Sequence, residues 1–319
     1  MANKFSFDNA AFHFGRTEGP SGFLPRYLLA YACGIVALAV ISYFVLRPLI
    51  DVYLEAFSMM ARGASEAAVE RQLTEGLLGN FSQIGLGYLL MLILYAGFWS
   101  MMEAAVLRRY VRDEGFSIGW GADEWRVLAV GLIWFAFFIA AYIVFFLAML
   151  GLIMPIGAMM QDSPGLIAIW GGIVMIGLLI CLAVAAIKLS PAAALTIRDS
   201  KVTFTSAWGA TNGRFWPMLG AFLVLGIILY IGVLVIYFVG AFVVFGAAIG
   251  GMDLTGPEPD PDQVMALFAS PAVLVPIVVF YMAMLIYQGF WQYAWAGIPA
   301  LAAKTDPRTG GMHNAADAF

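Results

Sequence analysis

Glu103 and Lys188 are the residues of this chain best placed to do chemistry, because each is a charge standing within or beside a long apolar run. They occupy nearly equivalent places, about a turn or more inside the ends of the second and fourth runs. An unpaired charge costs about 2.5–3.5 kcal/mol at the centre of a membrane helix and less near its ends. A partner or a wet cleft is therefore expected. Either the two face the interior of a helix bundle and touch a lipid headgroup or small solute, or Lys188 reaches outward to the surface while Glu103 pairs with a connector arginine. Gln288 and Gln292, at i and i+4, line the same cleft or hydrogen-bond across helices. Arg108, Arg109, Arg112, Arg198 and Arg214 form a basic rim, the other place where a lipid or a partner protein would be met.

Other chemistry is thinly supplied. His13 and His313 are the two histidines, both in terminal tails, and cannot build a His-rich metal site. There is no Gly-rich phosphate loop ending in Lys-Ser/Thr and no His-Glu pair at helical spacing. Cys33 and Cys181 both fall in apolar runs and read as small packing residues, not as a disulfide. Neither catalytic residues nor a cofactor, metal or nucleic-acid partner is expected.

The elements that hold these residues follow from composition. Apolar residues make up 63% of the 319, charged residues 11%, and the mean hydropathy is +0.90. A soluble domain carries roughly 25% charged residues, so this is an all-α integral membrane protein. About 20 apolar residues cross a hydrocarbon core. Residues 27–46, 84–102, 127–160, 164–187, 215–252 and 271–303 qualify, which gives six transmembrane helices. The third and fifth are long, but too short for two crossings and a turn at about 1.5 Å per residue.

Thirteen of the sixteen Lys and Arg fall in the N-terminal tail, the 2–3 and 4–5 connectors and the C-terminus; only Arg47, Arg62 and Arg71 lie opposite. Basic residues mark the cytoplasmic side, so both termini are expected there, in a bacterial inner membrane. The first residues lack the pattern of a cleaved signal peptide, and the first span is expected to stay as an anchor. On the outer side, Ser65–Leu78 has the pattern of a short helix, and the acidic loop Asp253–Gln263 is rich in proline.

Three phrases echo one another: "FSFDNAAFHFG" from Phe5, "FSIGWGADEW" from Phe116 and "FTSAWGATNG" from Phe204. Read as helices, they place Phe7, Ala11 and Phe14, then Ile118, Ala122 and Trp125, then Phe204, Trp208 and Thr211, at i, i+4 and i+7. Each stripe suits a short amphipathic helix lying flat at the membrane interface; an ordinary aromatic belt is the plainer alternative. The ends of the even spans repeat too. "YAGFWSMMEAAVLRRYVRD" parallels "YQGFWQYAWAGIPALAAKTD", and "LAVAAIKLSPAAALTIRD" is a fainter middle copy. Three parallel two-helix repeats are expected, 5–113, 116–199 and 203–306, followed by a polar tail, 307–319. Pro191 and Pro299 are expected to kink spans four and six. Gly85/Gly87 and Gly171/Gly172 are expected at close helix contacts.

"SPAAALTIRDSKVTFTSAWGATNGRFWPMLG" (Ser190–Gly220) resembles the membrane domain that precedes the catalytic domain in some bacterial glycerophosphodiester phosphodiesterases, and its stand-alone multi-span relatives. Only a short tail follows the last span, so the resemblance carries no activity over. The reading is a non-enzymatic inner-membrane protein that organises lipid or a membrane protein complex. The alternative is a small transporter or lipid carrier with its site between the repeats.

Overall fold

The computed structural model describes residues 5–159, 164–251, 270–306 and 308, and all its regular elements there are helical. In chain order they are α1 (Phe7–Ala11), a 3-10 turn (His13–Gly15), α2 (Phe23–Val45), α3 (Arg47–Ala61), α4 (Glu66–Gly79), α5 (Phe81–Arg112), α6 (Ala122–Met159), α7 (Pro164–Leu189), α8 (Ala192–Asp199), α9 (Ser206–Ala210), α10 (Phe215–Gly251) and α11 (Pro271–Lys304). Six helices are long and apolar enough to cross a membrane: α2, α5, α6, α7 with its continuation α8, α10 and α11. The third and fifth are single helices. The expected span ends at Met160 and Met252, the loop Asp253–Gln263, His313 and all of the tail but Arg308 lie outside the described residues.

The spans are longer than their apolar runs. α5 continues for ten residues past Met102 because "EAAVLRRYVR" keeps the 3.6-residue spacing, burying Ala104, Ala105, Val106, Leu107 and Tyr110. Pro191 interrupts the fourth span: α7 stops at Leu189 and α8 starts at Ala192. α11, by contrast, runs on through Pro299 without a break. Ser65–Leu78 does form a helix, α4, and it packs on a helix the sequence reading did not find. In α3, Val52 meets α4 so closely that a Cβ on Gly76 would stand 3.0 Å from its methyls.

Contacts divide the chain into two compact units, whose bounds differ from those of the three expected repeats. The first comprises residues 1–21, 103–234 and 291–319; the second, 22–102 and 235–290. The second unit is held by an aromatic ladder, Phe23, Tyr27, Tyr31 and Phe98, with ring centroids 5.9, 6.1 and 5.6 Å apart in turn. Glycines admit the rings: a Cβ on Gly34 would lie 2.1 Å from Phe98, one on Gly240 2.0 Å from Phe280, and one on Gly289 3.0 Å from Tyr31. Of the glycines singled out in the sequence, Gly87 packs closely, on Val45 and Leu46, whereas Gly85 and Gly172 have open space.

In the first unit, the core is built from the ends of the even spans. Ala192, Ala194, Leu195 and Ile197 of α8 and Ala294, Ala296, Ile298, Ala300 and Leu301 of α11 are buried with the end of α5. Small residues dominate, and they let backbones approach closely.

His13 is buried against this core, its ring centroid 5.3 Å from that of Tyr110, and Nε2 has no hydrogen-bond partner among the described residues. Burial foremost, then the Lys304 ammonium, lowers its pKa from 6.5 to about 4; Arg16 adds to this and Asp113 opposes it. Because the folded value lies below the unfolded one, the contribution is complete above pH 6.5 and is lost as pH falls towards 4. Seating of residues 5–21 is expected to weaken by about 3 kcal/mol across that window. His13→Phe should flatten the loss in a thermal melt followed from pH 7 to 4; an unchanged acid loss in the variant would exclude His13 as its source.

Candidate functional site

The end of each even span carries a basic residue, and in the first unit each of the three joins its span end to another, Arg112 and Arg198 through a backbone carbonyl and Lys304 through a carboxylate. Arg112 donates through Nη2 to the carbonyl of Ile197 and, at 3.0 Å, to Ser200 Oγ. Arg198 Nη1 donates to the carbonyl of Ala303 at 2.5 Å and lies 3.8 Å from Asp306. Lys304 Nζ donates to Asp113 Oδ2 at 2.8 Å. Ile197 and Ala303 immediately precede Arg198 and Lys304, and Asp113 immediately follows Arg112. The links therefore run from the first span end to the second, from the second to the third, and from the third back to the first. They form a closed ring.

The ring has a simple physical basis. The last carbonyls of a helix have no partner within it, and the C-terminal end of the helix dipole favours a cation. α5 and α8 end on left-handed residues, Asp113 (φ 54°) and Ser200 (φ 53°), which stop the helices and turn the chain away. Arg214 adds a second cover to α11, donating to the carbonyls of Ala302 and Thr305 and to Thr305 Oγ1. Burial lowers the pKa of its guanidinium, opposed by the Asp306 charge. Burial also pushes the Asp306 carboxyl up, but hydrogen bonds and charge from Arg308, with the Arg198 charge, outweigh that and hold it below the usual carboxylate value.

A second network joins α5 to the start of α6. Arg108 Nη1 lies 2.6 Å from Glu124 Oε1, with Arg108 8% and Glu124 3% exposed. The other Glu124 oxygen accepts the backbone N–H of Gly121 at 2.8 Å, so a residue in the first turn caps its own helix. Asp123 is shared by Arg112 and Arg126, both at 2.8 Å. Arg109 donates to Thr17 Oγ1 and the carbonyl of Gly19, tying down the N-terminal segment.

The basic rim expected from the sequence is therefore not an open surface. Arg108, Arg109, Arg112, Arg198 and Arg214 donate to carboxylates, hydroxyls and carbonyls of the protein itself. Their positive charge is spent on joining elements.

Nor do Glu103 and Lys188 form an ion pair. Glu103 accepts a hydrogen bond from Gln292 Nε2 at 3.0 Å, which satisfies it within the first unit. Gln288, in the second unit, is exposed. Lys188 is half-buried at the end of α7. Its Nζ donates to Asn212 Oδ1 at 3.3 Å and sits 5.7 Å from the centre of the Trp208 ring, a cation–π arrangement. Thr211 Oγ1 donates to the Lys188 carbonyl at 3.3 Å. No described carboxylate comes within ion-pair distance of Lys188, unlike Arg108, Arg112, Arg126, Arg198, Lys304 and Arg308. It is a positioned cation with no counter-charge among the described residues.

The echoed aromatic phrases fold less regularly than expected. α1 and α9 are single turns of five residues, and no separate helix precedes α6: Ile118 lies in non-helical chain, whereas Ala122 and Trp125 already belong to the span. The cause is local. Gly119 and Gly121 interrupt the second phrase, and the Glu124 cap starts the helix at Ala122. Trp125 and Trp208 are exposed, as is Phe7, whose ring packs beside Gly220. Phe14 is half-buried and its carbonyl accepts from the Tyr293 hydroxyl at 3.3 Å. Phe204 meets Trp134 edge-to-face at 5.5 Å. Among the described residues no group of His, Cys, Asp or Glu is arranged to hold a metal. No protein-family model matches the chain, and neither a curated protein nor a solved structure matches it.

Proposed function

We propose that this is a non-enzymatic multi-pass membrane protein that organises lipid, holding an anionic headgroup at Lys188. The observation that carries this reading is the contrast in charge. Arg112 and Arg198 of the same unit are neutralised in structural pairs and cap helix ends, whereas Lys188 is held by Trp208 and Asn212 with no described carboxylate within ion-pair distance. Lysine on an amphipathic edge beside an aromatic is a common way to meet a phosphate at the membrane boundary. The small-residue core and the ring of caps favour a stiff organiser over a carrier, because a carrier needs helices that part. The proposed location is a bacterial inner membrane with both termini in the cytoplasm, supported by the skew of Lys and Arg. The three-repeat organisation and the relation to the phosphodiesterase membrane domain are proposals of the same kind, resting on the echoed residues.

The experiment is reconstitution. Protein in vesicles should leave the transbilayer exchange of fluorescent phospholipid unchanged, and protein purified in mild detergent should retain anionic lipid in native mass spectra. A reporter active only in the cytoplasm should work when fused after Phe319. Faster lipid exchange would replace this reading with the carrier, and a silent reporter would invert the topology.

A further inference from the structure

We propose that the hairpin of α6 and α7 holds one anionic phospholipid, its phosphate on Lys188 and an acyl chain in the groove beside it. This rests on the headgroup reading above and adds a chain site and a ligand class. The groove has a volume of about 410 Å³ and is almost wholly apolar, lined by Phe137, Phe138 and Tyr142 of α6 and Leu178, Cys181 and Ala185 of α7. It is open along its length: Phe138, Tyr142 and Cys181 are exposed. An open apolar channel at membrane depth takes a hydrocarbon chain, not water.

Three features point this groove at Lys188. On α7, Leu178, Cys181, Ala185 and Lys188 follow at i, i+3, i+7 and i+10, so Lys188 continues the stripe that lines the groove. On α6, the same stripe ends at Trp134, which stacks on Phe138 at 5.5 Å and meets Phe204 edge-to-face at 5.5 Å. Phe204 and Trp208 belong to one connector, which thus closes the end of the groove where Lys188 stands. The result is a long apolar slot that ends in aromatics and one cation with no counter-charge among the described residues. A phosphodiester carrying an acyl chain complements both parts, and it supplies the missing anion.

Cys181 lies in the groove and reports on its occupancy. In a Cys33→Ser background it is the only thiol, and its alkylation by N-ethylmaleimide can be timed in detergent with added phosphatidylglycerol or phosphatidylcholine. Phosphatidylglycerol should slow alkylation strongly and phosphatidylcholine much less. Lys188→Met should lower the affinity for phosphatidylglycerol about tenfold, the loss of one charge-assisted contact, and Lys188→Arg should keep it. An unchanged alkylation rate without lipid checks that each variant is folded. Equal protection by both lipids, or protection by phosphatidylglycerol that survives Lys188→Met, means annular lipid only and overturns the proposal. If Lys188→Met abolishes retention of phosphatidylglycerol in native mass spectra while Cys181 is never protected, the headgroup contact stands and the groove site falls.

Discussion

Replacing Arg108 with methionine is expected to destabilise the protein by about 3–5 kcal/mol, the range for removing one partner of a buried ion pair. The loss arises because Glu124 would remain buried beside Asp123, with only the Gly121 N–H to satisfy it. Glu124→Leu should cost less, since Arg108 keeps Asp123 at 3.9 Å and Glu114 at 3.8 Å. The double change removes both charges and should recover a large part of the Arg108→Met loss. Thermal melts of the four proteins in one detergent give the cycle. Additive losses would mean that Arg108 stabilises α5 by packing alone.

The spans were legible because the bilayer makes a demand that sequence must state openly: a long stretch without charge. That is why α6 and α10, the long third and fifth spans, could be read as single helices and were not split into two crossings. α4 was legible from its polar–apolar spacing. α3, which carries Pro48 at its start and the same spacing in "LIDVYLEAFSMM", was passed over because it follows the first span with almost no loop.

The partners of the polar residues were far less legible. Glu103 and Lys188 stand at nearly equivalent places, which suggested a shared cleft, yet Glu103 finds Gln292 and Lys188 finds Asn212 and Trp208. Periodicity says which residues share a helix face; it does not say which helix lies opposite. The arginines failed for another reason. A guanidinium that caps a neighbouring helix and one that waits for an anion look the same in a sequence. The usable signals were the Arg-Asp pair at 112–113 repeated at 198–199, and Glu124 three residues after Gly121. Each was present, and each says helix end.

Arg198→Met tests the ring most directly, because Arg198 is the link from the second span end to the third. Its loss removes a charged donor from the Ala303 carbonyl and one of the cations facing Asp306, whose side chain is 1% exposed. The expected cost is about 2–4 kcal/mol. The informative measurement is hydrogen exchange by mass spectrometry on the variant and the parent protein. If the span ends are fastened in a ring, the amides of residues 301–305 should exchange faster although they lie over 100 positions away in sequence, and the 110–113 segment, joined to α11 through Lys304, should follow. Faster exchange confined to residues 195–200, with 301–305 unchanged, would contradict the ring.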